Sequence, residues 1–299
     1  GSGVDQASCT QSCDTLWQCA VKDSYIIAGT GTEEWHPSFC YHGFQYVEVA
    51  GFPGIPSVRN FEGCAVRLMN EKHSDFETDN EILNQINRIT DRSIESNMMC
   101  SFTDCPQIEK LGWLETTQLM FSSVAAGYDI RSWIPKIMGD MRDAQVRPED
   151  AEGVSMEADS RKYPGYAFDK FENKETEEPG FVPGIAPEFF RIGGLFKDPN
   201  WGGACVMTPW YYYQEYGDVN ILRQNFGLMQ SYVDHLERRS VNGVLKGYAQ
   251  MGEWGQLNEN TPAALVATCA FYQQAVTLSG IAGILGNLQE EERYREMGK

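Results

Sequence analysis

Two carboxylates and an aromatic residue lie close together in a segment whose pattern fits neither a helix nor a strand. Residues 101–113 read SFTDCPQIEKLGW and place Asp104, Glu109 and Trp113 around a Cys-Pro corner. Glycoside hydrolysis needs one acid to protonate the leaving oxygen and another to act as base or nucleophile. A glutamate packed against tryptophan has its pKa raised by desolvation, which suits a general acid. The structural alternative is that Asp104 caps a turn and Glu109 lies on a solvated surface.

A group of aromatic residues follows between positions 201 and 216. Sugars present apolar C–H faces that stack on aromatic rings, so such residues can line a sugar site. Trp201 lies in a predicted loop beside Pro199 and Gly202, where a ligand contact is favoured. The other aromatic residues of the group are Trp210, Tyr211, Tyr212, Tyr213 and Tyr216. For Tyr212, Tyr213 and Tyr216, helical spacing favours a role in the core.

Two further carboxylates lie in predicted loops. Glu253 and Trp254 stand between glycines in GYAQMGEWG, residues 247–255, just before a helix predicted to begin at Thr261-Pro262. Glu188 lies in the segment IAPEFF and is a candidate of the same kind.

The sequence predicts no metal and no cofactor. The four histidines, His36, His42, His73 and His235, lie in four separate contexts, so a metal site built from them is not expected. The chain also lacks the GxSxG, GxGxxG, Walker and HExxH patterns. Acyl-transfer, nucleotide-binding and zinc-protease functions therefore have no support in the sequence.

Cysteines are concentrated near the start of the chain. Five of the nine precede residue 65, and three of those lie in the segment CTQSCDTLWQC. Three interpretations remain open for them: a disulfide-bearing secreted segment, buried thiols, or a metal site. The odd number leaves at least one thiol unpaired or paired outside this chain.

Composition excludes some partners. The chain has 299 residues, 42% of them hydrophobic, and a net charge of −18. A nucleic-acid partner is not expected, because binding a phosphate backbone requires lysine and arginine to replace its counterions. The acidic surface suits an extracellular setting, and no membrane span is predicted because no run of 18 apolar residues occurs.

The secondary structure that must position these residues is predicted to change from strands to helices near residue 75. The segments DSYIIAG, FCYHGFQYVEVAG and GCAVRLMN predict short strands, too few to stand alone, and therefore the end of an antiparallel sandwich. Apolar residues at Ile82, Ile86, Ile89 and Ile94 then predict a helix, with Asp79 as its N-cap. Further helices are predicted at about 115–127, 130–145, 203–216, 219–239 and 261–286. The domain prediction is a Cys-rich β segment at 1–74 and a helical domain at 75–299.

Several blocks in order resemble the α-L-rhamnosidases of glycoside hydrolase family 78. EEWHPSFCYHGFQYVEVAG is similar to the last strands before the family's catalytic domain, and SNMMCSFTDCPQIEKLGWLETTQ is similar to its acid-bearing signature. FVPGIAPE, DPNWGGACVMTPWYYYQEYGD, MGEWG and TPAALVATCAFYQQA are similar to later blocks. The resemblance implies a mainly α fold, with an (α/α)6 barrel after β-sandwich domains. It also implies an inverting enzyme that releases terminal L-rhamnose from a carbohydrate partner. The secreted or extracellular location is predicted from the cysteines and the acidic surface instead.

The resemblance also implies a role for each candidate residue. Glu109 is the general acid, and Asp104 holds rhamnose hydroxyls. The residues expected to line the sugar pocket or to supply polar contacts are Trp113, Glu115, Glu188, Trp201, Glu253 and Trp254.

Three departures from the family pattern leave other functions open. Ile108 stands where the family commonly has arginine, and Glu253 stands where related sequences have aspartate. The family's general base lies late in the barrel and is not assignable here, so residues 1–299 resemble a portion of a larger enzyme completed by its own remainder or by a partner chain. The alternatives are an inactive carbohydrate-binding or structural protein on the same scaffold, and a lyase that removes rhamnose from glucuronate.

Overall fold

Three short strands precede a predominantly helical region. The computed structural model describes residues 2–6, 22–107, 110–148, 178–188, 197–248, 252 and 261–299. The strands are β1 (Ser2–Gln6), β2 (Lys22–Tyr25) and β3 (Val47–Ala50). They form one antiparallel sheet with β1 in the centre, where Val4 is paired with Asp23 of β2 and with Val49 of β3.

Nine α-helices follow within the described ranges. They are α1 (Glu81–Asn97), α2 (Leu114–Leu119), α3 (Phe121–Gly127), α4 (Trp133–Ala144), α5 (Pro199–Gly202), α6 (Ala204–Tyr216), α7 (Val219–Arg239), α8 (Ala263–Ile284) and α9 (Leu288–Met297). Each predicted helix is therefore present, with the predicted 115–127 helix divided between α2 and α3.

Two predictions for residues 63–80 were wrong. The segment GCAVRLMN forms no strand, and most of its residues are exposed. The N-cap of α1 is Asn80 rather than Asp79, because the Asn80 side chain accepts a hydrogen bond from the Ile82 backbone N–H at 3.0 Å. Aspartate and asparagine are both favourable N-cap residues, so the sequence alone could not show which of Asp79 and Asn80 caps the helix.

The core is centred on α6. This helix packs against α2, α3, α4, α5, α7 and α8, and it buries Cys205, Val206 and Met207. Tyr212 is also buried, and its hydroxyl donates to the Arg131 carbonyl oxygen at 3.1 Å. Tyr213 and Tyr216 pack against the same core, so the structural role predicted for the three tyrosines is confirmed.

The helix α1 leaves several apolar side chains exposed. In α1, Ile82, Ile86 and Ile89 are 68%, 50% and 66% exposed, and Ile94 is the buried apolar residue. The helical spacing was therefore right, although the stripe it defines is uncovered in this structure. The helix α8 is long and apolar enough to cross a membrane by length and composition, a test that core helices of soluble proteins also pass. Here α8 packs against α5, α6, α7 and α9.

Candidate active site

The loop that contains the predicted acid is closed at its base. The Asp104 backbone N–H donates to the Leu111 carbonyl oxygen at 2.8 Å. Cys105 and Lys110 have positive φ angles of 45° and 56°, which is uncommon for non-glycine residues and marks a tightly bent backbone. Glu109 and Ile108 lie outside the described residues, so the structure fixes both ends of this loop but not the side chain of the acid.

The β-rich part of the chain braces this loop. The Gly43 backbone N–H donates to the Pro106 carbonyl oxygen at 3.1 Å, and the Tyr41 hydroxyl donates to Thr103 Oγ1 at 3.3 Å. The Lys110 ammonium lies 5.3 Å from the centre of the Tyr41 ring. The segment around Tyr41 thus contacts the loop near both of its ends.

A second backbone pairing holds the other side of the loop. The Ala186 N–H donates to the Gly112 carbonyl oxygen at 3.1 Å, and the Leu114 N–H donates to the Gly184 carbonyl oxygen at 2.9 Å. Trp113 is paired with Ile185 between these bonds and is buried. Glu188, half-buried, follows three residues after Ile185. The pairing therefore brings the segments of two predicted site residues side by side.

Glu115 lies in the first turn of α2, beside Asp104. Burial raises the pKa of the half-buried Glu115 carboxyl, and the negative charge of Asp104 raises it further, while a hydrogen bond from Thr116 acts in the opposite direction. A carboxyl with a raised pKa keeps its proton to higher pH and can then donate a hydrogen bond to a sugar hydroxyl. A neighbouring ionised carboxylate can only accept one.

Trp201 is held against α2 by backbone and side-chain contacts. It lies in the short helix α5, whose N-cap Asp198 accepts from the Asn200 N–H at 2.8 Å. Gln118 of α2 donates to the Asn200 carbonyl oxygen, and Gln274 of α8 donates to the Pro199 carbonyl oxygen at 2.6 Å. Trp201 is only 5% exposed, and it lies in α5 rather than in the predicted loop, because Asp198 caps a helical turn there.

A buried polar cluster next to this region was not predicted from sequence. His235 of α7 lies 3.0 Å from the Tyr248 hydroxyl through Nε2, and Lys197 lies 5.7 Å from the centre of the Tyr248 ring. Burial, with the nearby positive charges of Arg238 and Arg239, lowers the pKa of His235 to about 3. The neutral imidazole thus fixes Tyr248, five residues before Glu253. The only sequence signal was a histidine on the apolar side of a helix.

The structure brings together part of the predicted site. Asp104, Trp113 and Glu115 belong to one segment, Glu188 follows the strand-like segment paired with it, and Trp201 is joined to it through α2. Glu253 and Trp254 lie outside the described residues, as Glu109 does. The roles of all eight residues stay predictions.

The cysteine prediction is partly answered. None of the six cysteines within the described ranges is in a disulfide. Cys9, Cys13 and Cys19, on which the disulfide prediction mainly rested, lie outside those ranges. His42 lies close to Asp23 and Cys40, a grouping of possible metal ligands that the sequence spacing did not predict.

Two family models match successive parts of the chain. The model of the bacterial alpha-L-rhamnosidase 6 hairpin glycosidase domain matches residues 71–299. The model of the bacterial alpha-L-rhamnosidase concanavalin-like domain matches residues 6–67.

Curated relatives of the chain are also alpha-L-rhamnosidases. An alpha-L-rhamnosidase of Streptomyces avermitilis is 28% identical over 272 residues, which cover 91% of this chain and 23% of the relative. An alpha-L-rhamnosidase of Formosa agariphila is 26% identical over 286 residues, which cover 93% of this chain and 27% of the relative. The chain thus spans about a quarter of the length of these relatives.

Solved structures match almost the whole chain. The alpha-L-rhamnosidase from Dictyoglumus thermophilum superposes with a TM-score of 0.77 at 28% identity, covering 99% of this chain and 31% of that one. The Streptomyces avermitilis alpha-L-rhamnosidase complexed with L-rhamnose also superposes with a TM-score of 0.77, at 25% identity. This match covers 99% of this chain and 26% of that one. The predicted fold class, a barrel-like helical domain after a short β segment, is therefore confirmed.

Proposed function

The chain belongs to the bacterial α-L-rhamnosidase family, and from that premise we propose that it forms the acid-bearing part of a glycoside hydrolase. The substrate class is a glycan or glycoside with terminal L-rhamnose. The observation that carries the proposal is the superposition of 99% of the chain on a relative whose structure was determined with L-rhamnose. The loop at 104–111 supports it, because the Asp104 N–H is bonded to the Leu111 carbonyl oxygen and Glu109 lies between these two residues in the sequence.

In this proposal Glu109 donates its proton to the glycosidic oxygen as the bond to the sugar breaks. The described ends of its loop are held in place, since the Asp104 N–H is bonded to the Leu111 carbonyl oxygen and the Gly43 N–H to the Pro106 carbonyl oxygen. Asp104 and Glu115 hold sugar hydroxyls, and Trp113 and Trp201 give the sugar an apolar wall.

The stereochemical course belongs to the same proposal. In an inverting reaction a second carboxylate deprotonates a water that attacks from the opposite face of the sugar. The two carboxyls then stand about 6.5–9.5 Å apart. The family's base lies late in the barrel and is not assigned to a residue of this chain.

The test is turnover of an aryl α-L-rhamnoside by the full-length protein. Glu109→Gln should lower kcat by at least about a hundredfold, because general acid catalysis typically contributes that much or more. Glu77→Gln, at an exposed carboxylate, is the matched control and should retain wild-type turnover. Rhamnose must be the released sugar, and NMR of the first anomer formed distinguishes inversion from retention. Unchanged kcat in Glu109→Gln would exclude Glu109 as the acid.

A non-catalytic carbohydrate-binding function is the second candidate. Ile108 favours it, since an isoleucine cannot make the hydrogen bonds that an arginine makes to sugar hydroxyls. Calorimetry with rhamnose-containing oligosaccharides that detects binding without turnover would support this function. Absorbance from an unsaturated uronate would instead indicate the lyase.

A further inference from the structure

Three side chains of different chemistry converge on the β-rich part of the chain. His42 Nε2 lies 2.8 Å from Asp23 Oδ2 and 3.9 Å from Cys40 Sγ. Cys40 Sγ lies 4.0 Å from Asp23 Oδ1, so all the potential ligand atoms lie within 4.8 Å of one another. Asp23 comes from β2, and the other two come from a loop 17 and 19 residues later.

We propose that Asp23, Cys40 and His42 bind a zinc ion. A thiolate, an imidazole and a carboxylate are all established zinc ligands, whereas calcium and magnesium prefer oxygen ligands alone. A zinc ion with one thiolate, one carboxylate and one neutral imidazole leaves the site with no net charge. Within the described part of the chain no other metal-ligating residue joins this group.

The geometry separates a metal site from a catalytic relay. In a Cys-His-Asp relay the thiol and the carboxylate face different ring nitrogens, because the proton passes through the imidazole. Here both Asp23 and Cys40 face the same nitrogen of His42, Nε2. That convergence suits a shared cation and excludes the relay.

The distances require only small adjustments. Tetrahedral zinc with ordinary bond lengths separates its ligand atoms by about 3.3–3.6 Å. The His42 Nε2–Asp23 Oδ2 distance of 2.8 Å must lengthen, and the Cys40 Sγ–His42 Nε2 distance of 3.9 Å must shorten, each by roughly half an ångström. Because Cys40 Sγ lies 4.0 Å from the other carboxylate oxygen, Asp23 Oδ1, the carboxylate must also turn to present one oxygen to the ion. Cys40 is exposed, so its side chain is able to rotate toward the ion.

The site lies on the segment that braces the acid-bearing loop. Cys40 and His42 face Asp23, whereas Tyr41 and Gly43, which alternate with them, contact Thr103 and the Pro106 carbonyl oxygen. A bound ion would therefore join β2 to this segment and hold Tyr41 and Gly43 against the loop. In this proposal the zinc acts as a positioning element.

The first experiment titrates Co²⁺, then Zn²⁺, into reduced, chelator-treated full-length protein. One equivalent of Co²⁺ should produce a thiolate-to-cobalt charge-transfer band, which Zn²⁺ should abolish. Cys40→Ser should remove the band, and Asp23→Asn and His42→Gln should each weaken Zn²⁺ binding by about tenfold or more. Cys64→Ser, at another exposed cysteine of the same segment, is the control and should retain the band.

A second measurement tests the connection to the loop. Hydrogen exchange of the Gly43 amide, which is bonded to Pro106, should slow when Zn²⁺ is added to wild type but not to Cys40→Ser. The zinc site is wrong if no charge-transfer band forms, if the band survives in Cys40→Ser, or if mass spectrometry of unreduced protein finds Cys40 in a disulfide. Zinc binding with unchanged exchange at Gly43 would overturn the positioning role.

Discussion

His235 shows how a single buried group makes folding depend on pH. Its side chain is fully buried in α7, and Nε2 contacts the Tyr248 hydroxyl. Because the pKa in the folded protein is about 3, the unfolded chain binds a proton between about pH 6.5 and pH 3 that the folded chain does not. Stability from this residue is therefore complete above pH 6.5 and is lost as the pH falls.

The expected effect is large enough to measure. Between pH 6.5 and pH 5 the free energy of unfolding should fall by about 2 kcal/mol because of His235, at about 1.4 kcal/mol per pH unit. His235→Gln cannot titrate, so its urea unfolding measured over the same range should show a correspondingly smaller loss. His36→Gln, at an exposed histidine, is the control and should follow wild type. Parallel curves for wild type and His235→Gln would show that His235 is not buried in its neutral form.

At the scale of elements, the loop depends on a close backbone approach at Gly112. This residue accepts from the Ala186 N–H, and a Cβ at position 112 would overlap Ser101 Oγ and the Ala186 carbonyl oxygen. The pairing of residues 111–114 with 184–186 therefore requires a glycine here, for reasons of space alone.

Gly112→Ala should separate the two paired segments. We expect the free energy of unfolding to fall by about 2 kcal/mol, as in other cases of overpacking, and turnover of an aryl rhamnoside to fall because Trp113 and Glu115 move with the backbone. Urea unfolding and steady-state kinetics measure the two effects. Gly127→Ala, at the end of α3 with open space around it, should change stability by less than about 1 kcal/mol. Equal stabilities of the two variants would contradict the close approach at Gly112.

Elements were more predictable from sequence than contacts between them. The 3.6-residue period located α7 at 219–239, where the structure has Val219–Arg239, because burial of one face follows directly from the pattern. GCAVRLMN failed because β propensity depends on neighbouring strands, and the Leu68 N–H is instead bonded to the Met98 carbonyl oxygen. Asp23 contacts His42, and His235 contacts Tyr248, across 19 and 13 residues of sequence. The periodicity of helices and strands describes only neighbouring residues, so it could not predict these contacts.

At the scale of the whole molecule, the exposed faces of α1 and α8 are its most unusual feature. Ile82, Ile86 and Ile89 form one exposed stripe on α1, and Leu265, Tyr272 and Val276 are exposed on α8. Soluble proteins seldom leave contiguous apolar surface uncovered without a partner for it. Because the relatives are about four times as long, we expect further helices or a partner chain to cover these faces.

Residues 1–299 produced alone should therefore self-associate. The expected observations are oligomers in sedimentation velocity and binding of a hydrophobic dye, both reduced when Ile82, Ile86 and Ile89 are replaced by Glu. Because these side chains are already at least half exposed, the triple variant should lose less than about 1 kcal/mol of unfolding free energy. Ile137→Glu, at a fully buried position of α4, is the contrasting control and should unfold the domain. A monomeric wild-type chain without dye binding would show that the α1 stripe is not an interface, and equal damage from the triple variant and Ile137→Glu would show that the stripe is part of the core.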